Sequence, residues 1–271
     1  MDPRLPLRVL GRSVAGVETC IELPSLRVAL DLGRCIKSTV ACSTVLVSHG
    51  HLDHCGAVAQ HAARRSLLGM EAARYVVPRP VVDAVQRVFD AHGALDGTVI
   101  PRTVVPLDPG EELALGPGRR VRAFRTDHRV VSQGYVITER RKRLRPEFAA
   151  TPGPELGVLR RQGVVIEDEV TAPLLAFTGD TRMEALERDE EARRARVLVM
   201  EVSFLDDRVP VAQARELGHI HLDEVLPRAD MFHNEVLVFS HFSDRYDAAS
   251  VRAILAARLP EPLRDRVVPL L

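Results

Sequence analysis

The chain has no tryptophan, and aromatic residues fill only 4% of its 271 positions. Of its 37 basic residues, only Lys37 and Lys142 are lysine. A GC-rich genome writes arginine everywhere, so a single arginine carries little weight, although a guanidinium also suits phosphate. The four cysteines, Cys20, Cys35, Cys42 and Cys55, form no C-x-x-C pair. At this size that argues against a disulfide framework and for small core residues in a reducing compartment. No apolar run nears the roughly 18 residues that a membrane helix needs. The opening MDPRLPLRVLGRSVAG lacks the apolar core of a signal peptide, so a cytoplasmic protein without membrane contact is expected. Net charge is also lacking, with 37 acidic residues set against the 37 basic ones.

What is present is enough apolar residue, 46% of the chain, to exclude a mostly disordered protein. The length suits one large α/β domain spanning residues 1–271. Strands are expected at Leu26–Leu32, Thr44–Ser48, Val121–Thr126, Gly134–Thr138, Leu174–Phe177, Val197–Met200 and Val236–Ser240. Helices are expected over Asp53–Leu68, Val211–Leu217, Asp223–Phe232 and Ala248–Arg258. Residues 140–171 read as an irregular, basic insertion between two core strands. Charge is uneven along the chain. Arg119–Arg145 holds ten basic and two acidic residues, whereas Glu167–Glu191 holds nine acidic and two basic. The first segment is therefore either a basic surface or a solvated face.

The informative stretch is Ser48-His49-Gly50-His51-Leu52-Asp53-His54-Cys55-Gly56. It fits H-x-H-x-D-H directly after a buried strand. A strand end turning tightly into a helix aims several side chains at one point. His49 and His51 share one side of the extended segment, and Asp53 and His54 open the helix. Imidazole nitrogen and carboxylate oxygen are the ligands zinc takes in open catalytic sites. Further candidates follow other strands: His128, Asp180 in AFTGDT and His241 in VLVFSHFSDRY. Each alone is weak, and their order is what carries weight.

That order resembles the metallo-β-lactamase fold hydrolases, and within them the tRNase Z (ribonuclease Z) family in its short, plant-type form. The segments that carry the likeness are ETCIELPSLRVALDLGRC, LVSHGHLDHCGA, TDHRVVSQGYVI, LAFTGDT, VLVMEVSFLDD, ARELGHIHLDE and HFSDRY, from Glu18 to Tyr246. The resemblance implies an αβ/βα four-layer sandwich with two zinc ions per subunit. The ligand set equally tolerates manganese or iron. His49, His51 and His128 would bind one ion, Asp53, His54 and His241 the other, and Asp180 would bridge them. A metal-activated hydroxide would attack the scissile phosphorus, with Asp53 as proton acceptor.

The family's proton-donor pair maps to Glu201 in MEVSF and His219 in GHIHL, with His221 as the rival to His219. The implied reaction is removal of 3′ trailers from precursor tRNA, by a homodimer. Arg245 and Ser243, just beyond His241, would meet substrate phosphate. The family's tRNA-gripping arm would be reduced here to the basic run Arg140, Arg141, Lys142 and Arg143 near Pro152-Gly153-Pro154. Asp31 would hold the ligand loop by hydrogen bonds. The competing reading is an enzyme of the same fold that hydrolyses a small phosphodiester or ester. A zinc-containing scaffold without catalysis would show lost ligands, and all seven positions are filled.

Overall fold

The computed structural model describes residues 4–271. Fourteen strands are formed among them. The first six are β1 (Leu10–Ala15), β2 (Glu18–Leu23), β3 (Val28–Leu30), β4 (Thr44–Leu46), β5 (Arg74–Pro78) and β6 (Thr103–Leu107). Then come β7 (Glu112–Gly116), β8 (Arg119–Arg125), β9 (Gln133–Leu144), β10 (Glu167–Phe177), β11 (Val197–Glu201), β12 (Val236–Ser240), β13 (Phe242–Ser243) and β14 (Val267–Pro269). They build two seven-stranded sheets, ordered β13-β1-β2-β3-β4-β5-β6 and β14-β12-β11-β10-β9-β8-β7.

The sheets face each other across a core that includes Leu23, Leu30, Leu46 and Val76 from the first and Tyr135, Ile137, Leu175 and Val199 from the second. Alternation along β11 shows how the layers separate. Val197 and Val199 enter this central core, while Leu198 and Met200 join the outer one with Leu237, Phe239, Val251 and Leu255. Phe89, Ala59 and Ala62 of helices Val82–Asp96 and Val58–Leu67 cover the first sheet's outer face against Val45, Val47 and Tyr75. The result is the four-layer α/β sandwich that the resemblance implies, with strands such as β11 buried on both faces.

The differences from expectation have local causes. The helix expected over Asp53–Leu68 is broken into Leu52–Cys55 and Val58–Leu67. At the break the backbone pairs with the loop after β3. Leu32 N–H donates to His54 O at 2.6 Å, and Ala57 N–H donates to Leu32 O at 2.9 Å. The helix expected over Asp223–Phe232 is α-helical only over Leu222–Val225 and continues as a 3-10 helix over Leu226–Met231. Pro227 has no N–H to continue the α-helical ladder. Strands β1, β2, β5, β6, β7, β13 and β14 are additional to those expected, as is the helix Val82–Asp96.

Residues 140–171 are not irregular. Strands β9 and β10 run on beyond the sheet, pairing from Thr171↔Arg140 to Glu167↔Leu144, and a helix Gly153–Arg161 lies near the tip. Ion pairs between the strands, and from the helix to β10, hold this hairpin. Arg140 meets Glu169 at 3.3 Å, Arg145 meets Asp168 at 2.9 Å and Arg160 meets Glu167 at 2.6 Å. Deeper in the sheet, Arg122 binds Asp189 at 2.9 Å and Glu191 at 2.7 Å. Arg122, Arg140 and Arg145 of the basic segment thus pair with the acidic one, while Arg141, Lys142 and Arg143 form no ion pair among the described residues.

Candidate metal centre

Parallel strands β10, β11 and β12 end at the same edge of the second sheet, and β4 of the first sheet ends facing them. That edge is where side chains from separate segments converge. Ser48 and His49 follow β4, and an isolated bridge from His49 to Ser132 ties the two sheets there. His128 follows β8, Asp180 follows β10, Glu201 ends β11 and His241 follows β12. His241 has φ of 59°, because the chain crosses there from β12 in one sheet to β13 in the other. A β-carbon in this left-handed region costs about 1–2 kcal/mol, and such strain collects at functional sites.

All seven residues expected as ligands are brought together. His49 Nε2 lies 3.0 Å from His51 Nδ1, which lies 3.3 Å from His128 Nε2. Asp180 Oδ2 completes this group, 3.7 Å from His49 Nε2. In the second group His54 Nε2 lies 3.2 Å from His241 Nε2 and 3.4 Å from Asp53 Oδ2. Asp180 stands between the two, with Oδ2 3.3 Å from His54 Nε2 and Oδ1 3.4 Å from His241 Nε2.

Supporting groups set the ring orientations. His54 Nδ1–H donates to Asp31 Oδ2 at 2.6 Å. Ser48 Oγ–H donates to the same carboxylate at 2.7 Å, so Ser48 Oγ accepts from His49 Nδ1–H at 2.9 Å. His128 Nδ1–H donates to Gly218 O at 2.9 Å. In each case Nε2 is left with its lone pair toward the cluster. Burial also holds His49 well below the ordinary imidazole pKa, which keeps it neutral. Gly33 is required here, because a β-carbon on it would collide with the carbonyl of Asp53.

The donor set fits a divalent metal. Asp180 Oδ1 is buried and has no hydrogen-bond partner among the described residues, the position of an acceptor meant for a cation. Three imidazoles in one group and two with a carboxylate in the other are nitrogen-and-oxygen ligands of catalytic metals.

Beside this cluster, Glu201 Oε1 accepts from His219 Nδ1–H at 3.0 Å. Burial alone would lower the pKa of His219, but the charge and hydrogen bond of Glu201 outweigh it and raise it to about 9. His221 is turned away. Its Nδ1 accepts from Asp223 N–H at 3.0 Å and caps the next helix, while Nε2 reaches Asp206 O at 3.2 Å. His219, and not His221, therefore stands at the cluster. Ser243 is buried, and its Oγ lies 3.2 Å from Nη1 of the exposed Arg245. Arg140, Arg141, Lys142 and Arg143 sit on the far part of β9, about 25–35 Å from its site end at the usual strand rise.

The sequence reading missed Ser48, Ser203, Gly16, whose N–H donates to Asp53 Oδ2 at 2.9 Å, and the carbonyl of Gly218. Ser48 had a signal, its place directly before the motif. The others act through contacts made only in three dimensions.

A family model described as the beta-lactamase superfamily domain matches residues 26–242. The chain is 39% identical over 262 residues to tRNase Z TRZ1 of Arabidopsis thaliana, covering 96% of this chain and 93% of that protein. Human tRNase Z, short form (ELAC1), matches in structure with a TM-score of 0.60 at 18% identity, over 89% of this chain and 93% of its own. The metallo-beta-lactamase fold protein YhfI from Bacillus subtilis matches with a TM-score of 0.63 at 13% identity, over 96% of this chain and 94% of its own. At those identities the two structures speak for the fold.

Proposed function

From the premise that the chain belongs to the tRNase Z family of the β-lactamase superfamily, we propose that it is a metal-dependent endoribonuclease that removes 3′ trailers from precursor tRNA. One observation carries the reading: the Glu201–His219 pair stands beside the ligand cluster, with His219 Nδ1 4.0 Å from Asp180 Oδ2. A dinuclear site alone serves many hydrolases, whereas a carboxylate-held imidazole beside it provides a proton for a poor leaving group.

His49, His51 and His128 would hold one ion, and Asp53, His54 and His241 the other. Asp180 would bridge them. We take both to be zinc, two per subunit, with manganese or iron compatible with the same donors. Bound there, divalent ions supply an activated water and charge neutralisation at the phosphoryl oxygens. The chain's own residues do the rest. The Asp53 carboxylate takes the proton of the attacking water. Glu201 keeps the imidazole of His219 charged and oriented, and His219 delivers its proton to the departing 3′ oxygen. The β9–β10 hairpin projects away from this edge, a placement suited to the body of a tRNA whose 3′ end lies at the cluster. Arg245, four positions after His241, is the group we assign to a backbone phosphate. A homodimer in the cytoplasm is the assembly and compartment we propose, the latter in keeping with four unpaired cysteines. No helix among the described residues is long and apolar enough to cross a membrane.

The test uses metal-replete protein, a labelled tRNA with a 3′ trailer, a small chromogenic phosphodiester and an Asp180→Ala variant. One discrete cut in the tRNA, absent in the variant, is expected. Cleavage of the small diester alone would overturn the tRNA reading and favour a small-molecule phosphodiesterase.

A further inference from the structure

Glu201 has more partners than a proton-donor pair needs. Its Oε1 accepts from Thr181 N–H at 2.6 Å as well as from His219. Its Oε2 accepts from Ser203 Oγ–H at 2.7 Å. Ser203 is fully buried, and its Oγ lies 3.0 Å from His241 Nδ1. The single hydroxyl proton of Ser203 is committed to the carboxylate, so its oxygen must accept, and Nδ1 of His241 must carry hydrogen. That leaves Nε2 of His241 as the bare nitrogen, the atom that faces Asp180 and Asp53.

The other half of the molecule repeats the device. There Asp31 holds Ser48, and Ser48 holds His49 Nδ1. Both serines follow a buried strand of their own sheet, β4 or β11. A carboxylate–serine–histidine relay thus stands on each side of the cluster. His241 needs its relay, because its backbone is in the left-handed region and no other side chain is hydrogen-bonded to Nδ1 among the described residues.

We infer that Ser203 is a positioning residue that fixes the tautomer and orientation of His241 from Glu201, so that one carboxylate serves both the proton donor and a metal ligand. The inference rests on the metal-binding reading above, and not on the identity of the RNA.

The test is zinc binding by equilibrium dialysis, without RNA, on the full chain and on Ser203→Ala, Ser203→Thr, Glu201→Gln and His219→Asn. Loss of such a supporting group typically weakens metal affinity by about 10–100-fold. Ser203→Ala and Glu201→Gln should show that loss, and Ser203→Thr should restore affinity by returning the hydroxyl. His219→Asn should keep its zinc, since the relay is intact. Wild-type zinc affinity in Ser203→Ala would overturn the inference. Nitrogen-15 spectra of the unsubstituted protein give a reading independent of any variant's folding. Hydrogen on Nδ1 of His241 is expected, and hydrogen on Nε2 would overturn it. Trailer cleavage by the wild type is scored separately, so failure to cut tRNA with the relay intact would strike only the substrate reading.

Discussion

Gly179 leaves room for Ser48. A β-carbon built on Gly179 would lie 2.7 Å from Ser48 Oγ, and Gly179 also has φ of 57°. Gly179→Ala should therefore push Ser48 off both Asp31 and His49 while straining the turn that presents Asp180. A loss of about 1–2 kcal/mol from the backbone alone is expected, together with weaker zinc binding. Thermal melting with a parallel zinc titration checks this. A melt lowered with zinc affinity unchanged would confine the effect to the backbone.

His219 and His221 should separate cleanly. His219→Asn should lower kcat on tRNA by about 10²–10⁴-fold with the melting temperature little moved. His221→Ala should do the reverse, because His221 caps the helix Leu222–Val225, a contact worth about 1 kcal/mol. Single-turnover cleavage beside thermal melts distinguishes them.

Acid stability should depend on His61. This ring is buried, its Nδ1 accepts from Tyr75 Oη–H at 2.7 Å and its Nε2–H donates to Thr39 O at 3.0 Å. Burial lowers its pKa from 6.5 to about 4, and the charges of Arg65 and Arg64 act in the same direction. Above pH 6.5 the ring is neutral in both folded and unfolded chains. As pH falls from 6.5 toward 4, only the unfolded chain takes the proton, so stability is lost through that window and no further below it. The loss should total about 3 kcal/mol. Urea unfolding across this range, for wild type and His61→Gln, should show a difference that shrinks in the variant.

The hairpin's acids should restrain RNA binding. Replacing Glu167, Asp168 and Glu169 with their amides would release Arg160, Arg145 and Arg140. tRNA binding should tighten, and the slope of log affinity against log salt should steepen by up to about 0.9 per added phosphate contact. Filter binding across a salt series measures it. An unchanged slope would place the hairpin off the RNA.

Much of the centre was legible because its spacing is local. His49, His51, Asp53 and His54 lie within six residues, and a strand before them suffices to aim them. His128, Asp180 and His241 were found by their places after strands, and only their succession made them persuasive. The role of the Ser203 hydroxyl was not legible. Ser203 stands two positions from Glu201 in sequence, but its second partner is His241, and that contact exists only once β11 and β12 pair. Which charges pair was not legible either: composition counts ions one at a time, whereas the pairing of β9 with β10 brings Arg140 to Glu169 and Arg145 to Asp168. The break in the helix expected over Asp53–Leu68 was missed because the loop at Leu32 competes for backbone groups from outside the helix.

The pairing of β13 with β1 has a consequence for synthesis. A chain leaving the ribosome N-terminus first carries β1 as an open edge until residues past 243 emerge, and His241 arrives at nearly the same moment. Elements of the first sheet can gather earlier, but its border and the ligand set close together. A product cut short before that point would lack His241 of the proposed centre, so interrupted translation is expected to yield an inert fragment rather than a stray nuclease.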